Sequence, residues 1–175
     1  MNRKPLPRRK SPRKYGYDYT QPGAYFVTIC THYRDHLFGE IIDGQMHLNE
    51  NGQIVAMCWQ AIPEHFPHTT IDSFVIMPNH IHGILFVDEG NTYTLGQIIN
   101  VFKGAVTREI NRTRHENARD PIWQRNFHDV IIRHDAMLDR LRVYVQENPA
   151  RWQDDQFFST TAALYLFMRF SRGSV

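Results

Sequence analysis

The stretch Ile71–Val87, IDSFVIMPNHIHGILFV, decides the fold. Ile71–Met77 and Ile81–Val87 are runs rich in β-branched and aromatic residues, broken by Pro78-Asn79, so they read as two strands. Upstream, Ala24–His32 (AYFVTICTH) alternates and reads as another strand. Leu37–Ile42 and Gln45–Leu48 flank Asp43-Gly44, a hairpin signal. A helix follows, capped by Asn49 or Asn51, with Ile54, Met57, Cys58, Ala61 and Ile62 on its apolar face; Pro63 and Pro67 end it. Downstream, Thr94 and Gln97 form a capping box for a helix whose stripe is Leu95, Ile98, Ile99, Phe102, Val106 and Ile110. His115–Pro121 is polar and loop-like, and Phe127–Arg133 reads as a strand. Asp135 is expected to cap a last helix running to about Glu147, which Pro149 stops. After a leading hairpin the order is β-α-β-β-α-β and then an extra helix. That order predicts an α+β fold: a ferredoxin-like antiparallel sheet with helices on one face. Many functions share such a fold, so chemistry must come from particular residues.

Charge is unevenly spread. Arg3, Lys4, Arg8, Arg9, Lys10, Arg13 and Lys14 place 7 of the 20 basic residues in the first 14 positions, among Pro5, Pro7 and Pro12. The other 161 residues carry 13 basic against 18 acidic side chains, a net of −5. Residues 1–14 therefore read as a basic arm suited to phosphate backbones, with a solubilising tail as the plainer alternative. Cys30 and Cys58 are too few for a disulfide framework or a thiolate zinc cage, and fit small buried residues in a reducing cytosol. No apolar run approaches the ~18 residues of a membrane span. The patch Ala162–Met168 is too short to be one, and residues 159–175 form a tail whose structure the pattern leaves open.

Three groups of residues suggest chemistry. His80 and His82, two apart in a strand, share a face and can share a cation. A neutral pair satisfied inside a core fits the same spacing. Tyr144 and Asn148 lie four apart at the margin of the last helix, beside the stripe Leu138, Leu141 and Val145. By spacing alone Tyr144 is more simply a boundary aromatic with its hydroxyl in water. Trp123, Arg125 and His128 lie in Ile122–Asp129 (IWQRNFHD), which mixes aromatic, basic and amide groups as a surface stacking bases and contacting phosphates would. The competing role for Trp123 and Phe127 is to anchor a strand end. Lys103, Arg108, Arg112 and Arg114 extend a basic surface or simply face solvent.

Longer motifs carry a resemblance. They are Gly16–Tyr19 (GYDY), Gln21–Thr28 (QPGAYFVT), Leu37–Glu40 (LFGE), Met77–Gly83 (MPNHIHG), Ile122–Asn126 (IWQRN) and Tyr144–Trp152 (YVQENPARW). The chain resembles the REP-associated tyrosine transposases, within the single-tyrosine HUH transposases, over about Arg9–Phe157. The resemblance implies an RRM-like catalytic domain, here residues 15–158, with a catalytic helix after the sheet. It implies His80 and His82 as ligands of a divalent cation, Mg²⁺ or Mn²⁺, with Asn148 completing the site where related transposases often use Gln. It implies Tyr144 as nucleophile, forming a 5′-phosphotyrosine on single-stranded DNA at palindromic hairpins. Arg8, Arg9, Lys10, Arg13, Lys14, Trp123, Arg125 and His128 are then the expected DNA contacts. His128 departs from the aromatic residue the family more often has. The expected setting is the cytoplasm, at the nucleoid and away from membranes, with monomer and homodimer both open. A phenol ionises near ~10, so Tyr144 needs a cation or a base beside it. Two other readings compete. A hairpin-binding module without catalysis is opposed by the intact His80, His82, Tyr144 and Asn148. An RNA-binding ferredoxin-like domain would carry aromatic pairs where the histidines stand.

Overall fold

A computed structural model describes residues 16–113 and 121–152. The basic arm, Arg114–Asp120 and the tail from residue 153 lie outside the described residues, and with them the expected DNA contacts Arg8, Arg9, Lys10, Arg13 and Lys14 and most of the expected polar loop.

Four strands form the main sheet: β1 (Gly23–Cys30), β4 (Thr69–Met77), β5 (His80–Val87) and β6 (His128–Ile132), in the order β4-β5-β1-β6 with every neighbour antiparallel. Helices α1 (Glu50–Gln60) and α2 (Ile62–His65) lie between β1 and β4, and α3 (Leu95–Thr113) between β5 and β6. This is the expected split sheet. The hairpin β2 (Gly39–Ile42) and β3 (Gln45–Leu48) forms a separate two-stranded sheet. It interrupts the core between β1 and α1 rather than leading it. Its turn takes positive φ at both central residues, Asp43 at 50° and Gly44 at 73°, as a right-twisted two-residue hairpin requires.

Strand alternation gives the sheet two different faces. Tyr25, Val27 and Ile29 of β1 join Val55 and Trp59 of α1 and Leu95, Ile98, Ile99, Phe102, Val106 and Ile110 of α3 in one core. Ala24 and Phe26 join Ile84 and Ile132 on the opposite face, beneath Met137, Leu141 and Val145 of α4 (Asp135–Glu147). Among the described helices, α4 is the one that packs on this side of the sheet.

Three local expectations shift by a residue or two. On α1 the buried positions are Ile54, Val55 and Trp59, continued by Ile62, whereas Met57 is 62% exposed. Apolar residues occupy two overlapping stripes of this helix, and the one holding the indole wins because it buries more surface. Pro63 ends α1 only indirectly: it occupies the first turn of α2, where the missing N–H costs nothing. His134, not Asp135, caps α4, with Met137 N–H donating to its Nδ1 at 3.2 Å; Asp135 is the first helical residue. The capping box of α3 forms as expected, Gln97 N–H donating to Thr94 Oγ1 at 3.2 Å and Thr94 N–H to Gln97 Oε1 at 2.8 Å.

Candidate active site

Both histidines point to the α4 face of the sheet, because β5 alternates from the Pro78-Asn79 turn onward. Gly83, the next residue, points the other way. A Cβ there would sit 2.2 Å from Cζ2 of Trp59. The glycine admits the buried indole of the main core.

His80 is fixed by its neighbour. Its Nδ1 lies 2.8 Å from Asn79 Oδ1. The Asn79 amide nitrogen donates to the Arg34 carbonyl at 3.2 Å, which orients the oxygen toward the ring. An amide oxygen only accepts, so Nδ1 carries the proton and Nε2 keeps a lone pair. His82 is held between two hydroxyls: Thr28 Oγ1 lies 2.9 Å from Nδ1 and Tyr144 Oη 3.2 Å from Nε2. Thr28 reaches it because it sits directly opposite His82 across the β1–β5 ladder. Phe26 stacks on the His82 ring at 5.2 Å and meets the Tyr144 ring edge-on at 6.0 Å. The two imidazoles are 4.5 Å apart between centroids, and Trp152 stacks on His80 at 6.2 Å.

Burial sets the charge of this cluster. It pushes His80 down to about 3; the nearby Arg34 adds to the fall, and a hydrogen bond that the protonated ring would donate to Asn148 opposes it. Burial, with His80 second, holds His82 well below the ordinary histidine range. Both rings are neutral at pH 7, the state that ligates metals. Asn148 is buried at the C-terminal end of α4, and its Oδ1 finds no hydrogen-bond donor among the described residues. A buried amide acceptor beside a neutral imidazole suits a cation better than either alone.

Helix α4 brings Tyr144 and Asn148 to this face together, and an ion pair ties the helix down. Arg142 donates from Nε to Asp72 Oδ2 at 2.9 Å and from Nη2 to Oδ1 at 2.6 Å. That fork holds the Asp72 carboxyl below its usual range and joins α4 to the edge strand β4.

The expected DNA contacts fare differently. Arg125 is exposed and His128 half-buried, its ring pushed down in pKa chiefly by burial. Thr28 lies opposite both His82 and His128, so all three stand in one row on the α4 face. Trp123 is 8% exposed, against Phe38 at 5.3 Å and Phe102 at 5.9 Å, and donates Nε1–H to the Lys103 carbonyl at 3.2 Å. It anchors a strand end, leaving little ring for a base. Lys103 is buried rather than part of a basic surface. Its Nζ donates to the carbonyls of Gln124 at 2.7 Å and Arg125 at 3.1 Å, and burial lowers its pKa to about 8. Thr28 and Asn79 escaped the sequence reading as partners of the histidines, although cross-strand register and the Asn79-His80 adjacency carry that signal.

Comparisons with known proteins agree with this architecture. A family model described as "Transposase IS200 like" matches residues 23–148. An uncharacterized protein of Haemophilus influenzae is 38% identical, over 86% of this chain and 93% of its own length. A second protein of that organism, named as a candidate REP-associated tyrosine transposase, is 28% identical over 78% of this chain and 76% of its own. Among solved structures, a REP-associated tyrosine transposase bound to a REP hairpin superposes with a TM-score of 0.61 at 21% identity, covering 79% of this chain and 73% of that one. At that identity the likeness establishes the fold.

Proposed function

This chain belongs to the family of IS200-like transposases, and from that premise we propose that it cuts and rejoins single-stranded DNA at REP-like hairpins through a Tyr144–DNA linkage. The observation that carries the proposal is the 3.2 Å contact between Tyr144 Oη and His82 Nε2, on a face where His80 and Asn148 converge. The hairpin bound by the structural neighbour supports the choice of substrate. Two neutral imidazoles and the Asn148 oxygen suit a hard cation, Mg²⁺ or Mn²⁺. A cation bound there would polarise the scissile phosphate and offset charge developing on it.

The chain's own groups do the rest. Asn79 and Thr28 hold the two rings by their Nδ1 atoms, so Nε2 is the nitrogen each would offer a cation. The fork of Arg142 on Asp72 keeps α4, and with it Tyr144, against the sheet. Tyr144 Oη attacks phosphorus in line and forms the P–O(Tyr) bond as the P–O3′ bond breaks. The phenol gives up its proton, and the departing oxygen takes one to become a 3′-hydroxyl. A second 3′-hydroxyl reverses the step and joins a new strand. Arg8, Arg9, Lys10, Arg13 and Lys14 of the arm, with Arg125 and His128, add contacts to the DNA. Such a protein works on DNA in the cytoplasm, at the nucleoid.

Incubating the chain with a single-stranded hairpin oligonucleotide and Mn²⁺, then running a denaturing gel, tests the proposal. A protein–DNA adduct is expected from the parent chain and none from Tyr144→Phe. Cleavage by Tyr144→Phe at the parent rate would sink the nucleophile assignment.

A further inference from the structure

The turn that carries His80 is tied to a second segment. Thr31 N–H donates to the Asn79 carbonyl at 2.9 Å, and Thr31 Oγ1 donates to the same oxygen at 3.0 Å. Asn79 in turn donates from its amide to the Arg34 carbonyl. Residues 31–34 and the His80 turn are therefore one rigid unit.

Two features of this segment are costly and unused by the core. Tyr33 and Arg34 hold φ of 53° and 61°, the left-handed region that residues with a Cβ rarely enter. Tyr33 is 82% exposed, its ring resting on His32 at 3.9 Å. An aromatic ring standing in water adds nothing to the core and offers a face to a nucleobase. Through its carbonyl Arg34 stands beside the His80 turn, and His32 N–H donates to the Ile122 carbonyl at 2.8 Å, which ties the same segment to the chain leading into β6. His128 shares the row of Thr28 and His82. The two imidazoles and the amide bring no charge of their own to a phosphodiester beside them. A guanidinium at that edge supplies it with the right fork geometry.

We propose that Tyr33 and Arg34 form the docking platform for the single strand leading into the site, Tyr33 stacking a base and Arg34 pairing with a phosphate beside it. The inference rests on the DNA substrate proposed above. Neither residue stands out in the sequence, since tyrosine and arginine are not turn formers.

Fluorescence anisotropy on the full chain in EDTA tests it, with a hairpin bearing a single-stranded oligothymidine flank as one probe and the same hairpin without a flank as the other. Tyr33→Ala is expected to weaken binding of the flanked probe by roughly 5- to 100-fold, the range of one lost stacking contact, and to leave the blunt probe unchanged. Tyr33→Gly should weaken the flanked probe similarly while raising the melting temperature, because glycine takes positive φ without strain. Tyr33→Trp should restore binding. Arg34→Ala should flatten the log–log salt dependence by about 0.7, one phosphate contact on a single strand. Parental affinity of Tyr33→Ala for the flanked probe overturns the platform, as does an equal loss on both probes. A parent chain that binds neither probe removes the DNA reading itself, and the platform with it.

Discussion

The hydroxyl of Tyr144 and Nε2 of His82 lie 3.2 Å apart, so the proposed nucleophile and a proposed metal ligand share one hydrogen bond. In the tautomer that leaves Nε2 able to ligate a metal, Thr28 accepts from Nδ1–H and the bond runs from the phenol to the Nε2 lone pair. A cation at His82 needs the same lone pair. Metal and phenol proton therefore compete, and the metal-free protein holds Tyr144 in a latched position.

Removing the competitor should expose the latch. Tyr144→Phe is expected to bind Mn²⁺ more tightly than the parent without DNA, by roughly 5- to 10-fold for one neutral hydrogen bond of about 1 kcal/mol. Isothermal titration calorimetry reads this without any cleavage. Weaker binding by the variant would mean that the hydroxyl assists the metal instead.

Thr28→Val should have the opposite effect. Valine cannot accept from Nδ1–H, so the ring is free to carry its proton on Nε2 instead. Metal affinity is expected to fall by roughly 10- to 100-fold, as for other partners of ligating histidines. Nitrogen-15 NMR of the metal-free protein should show the proton moving to Nε2. An unchanged tautomer with unchanged affinity would contradict the role given to Thr28.

Acid should weaken the fold before any carboxylate is titrated. Folded His80 is held at about 3, and His82 is also depressed, whereas an unfolded histidine titrates near ~6.5. Below that value the unfolded chain binds more protons, so stability is full above it and is lost progressively as pH falls through about 3, the folded value of His80. Urea unfolding at several pH values should show this loss, and His80→Gln should show less of it. Equal pH dependence in the two proteins would mean that His80 is already protonated in the native state.

Gly83→Ala should damage the fold and the site together. The new methyl meets Trp59, a wedge in a packed core, at an expected cost of about 1–3 kcal/mol. Thermal denaturation gives the cost. Pairing it with Trp59→Phe, which frees space, should recover part of the loss; no recovery would locate the clash elsewhere.

Much of this was legible because particular side chains have few uses. Asp43-Gly44 tolerates positive φ, Thr94 and Gln97 satisfy each other's N–H groups, and the α3 stripe holds no competing apolar face. Tyr144 lies against the histidine pair, on the side the family resemblance implied, although spacing alone made it a boundary aromatic with its hydroxyl in water. What escaped depends on the third dimension. Met57 and Trp59 sit on adjacent stripes of α1, and only the hole above Gly83 decides between them. Trp123 and Lys103 look like surface groups in sequence, yet each satisfies the other's segment in the interior. The positive φ of Tyr33 comes from hydrogen bonds to a turn more than forty residues away, which no local pattern records.

The alternation of β5 has a consequence for how such chains can vary. His80 and His82 face α4 while Gly83 faces Trp59, so parity along this strand assigns each residue to chemistry or to packing. A deletion or insertion of one residue between Pro78 and Gly83 would exchange the two assignments, driving imidazoles into the indole's seat and leaving the α4 side without them. Length is therefore frozen here, while the hairpin β2–β3, hydrogen-bonded as its own small sheet, sits where segments can be gained or lost without disturbing that parity. Divergence among relatives should accumulate as indels in the hairpin and as substitutions, never as frame changes, in the strand.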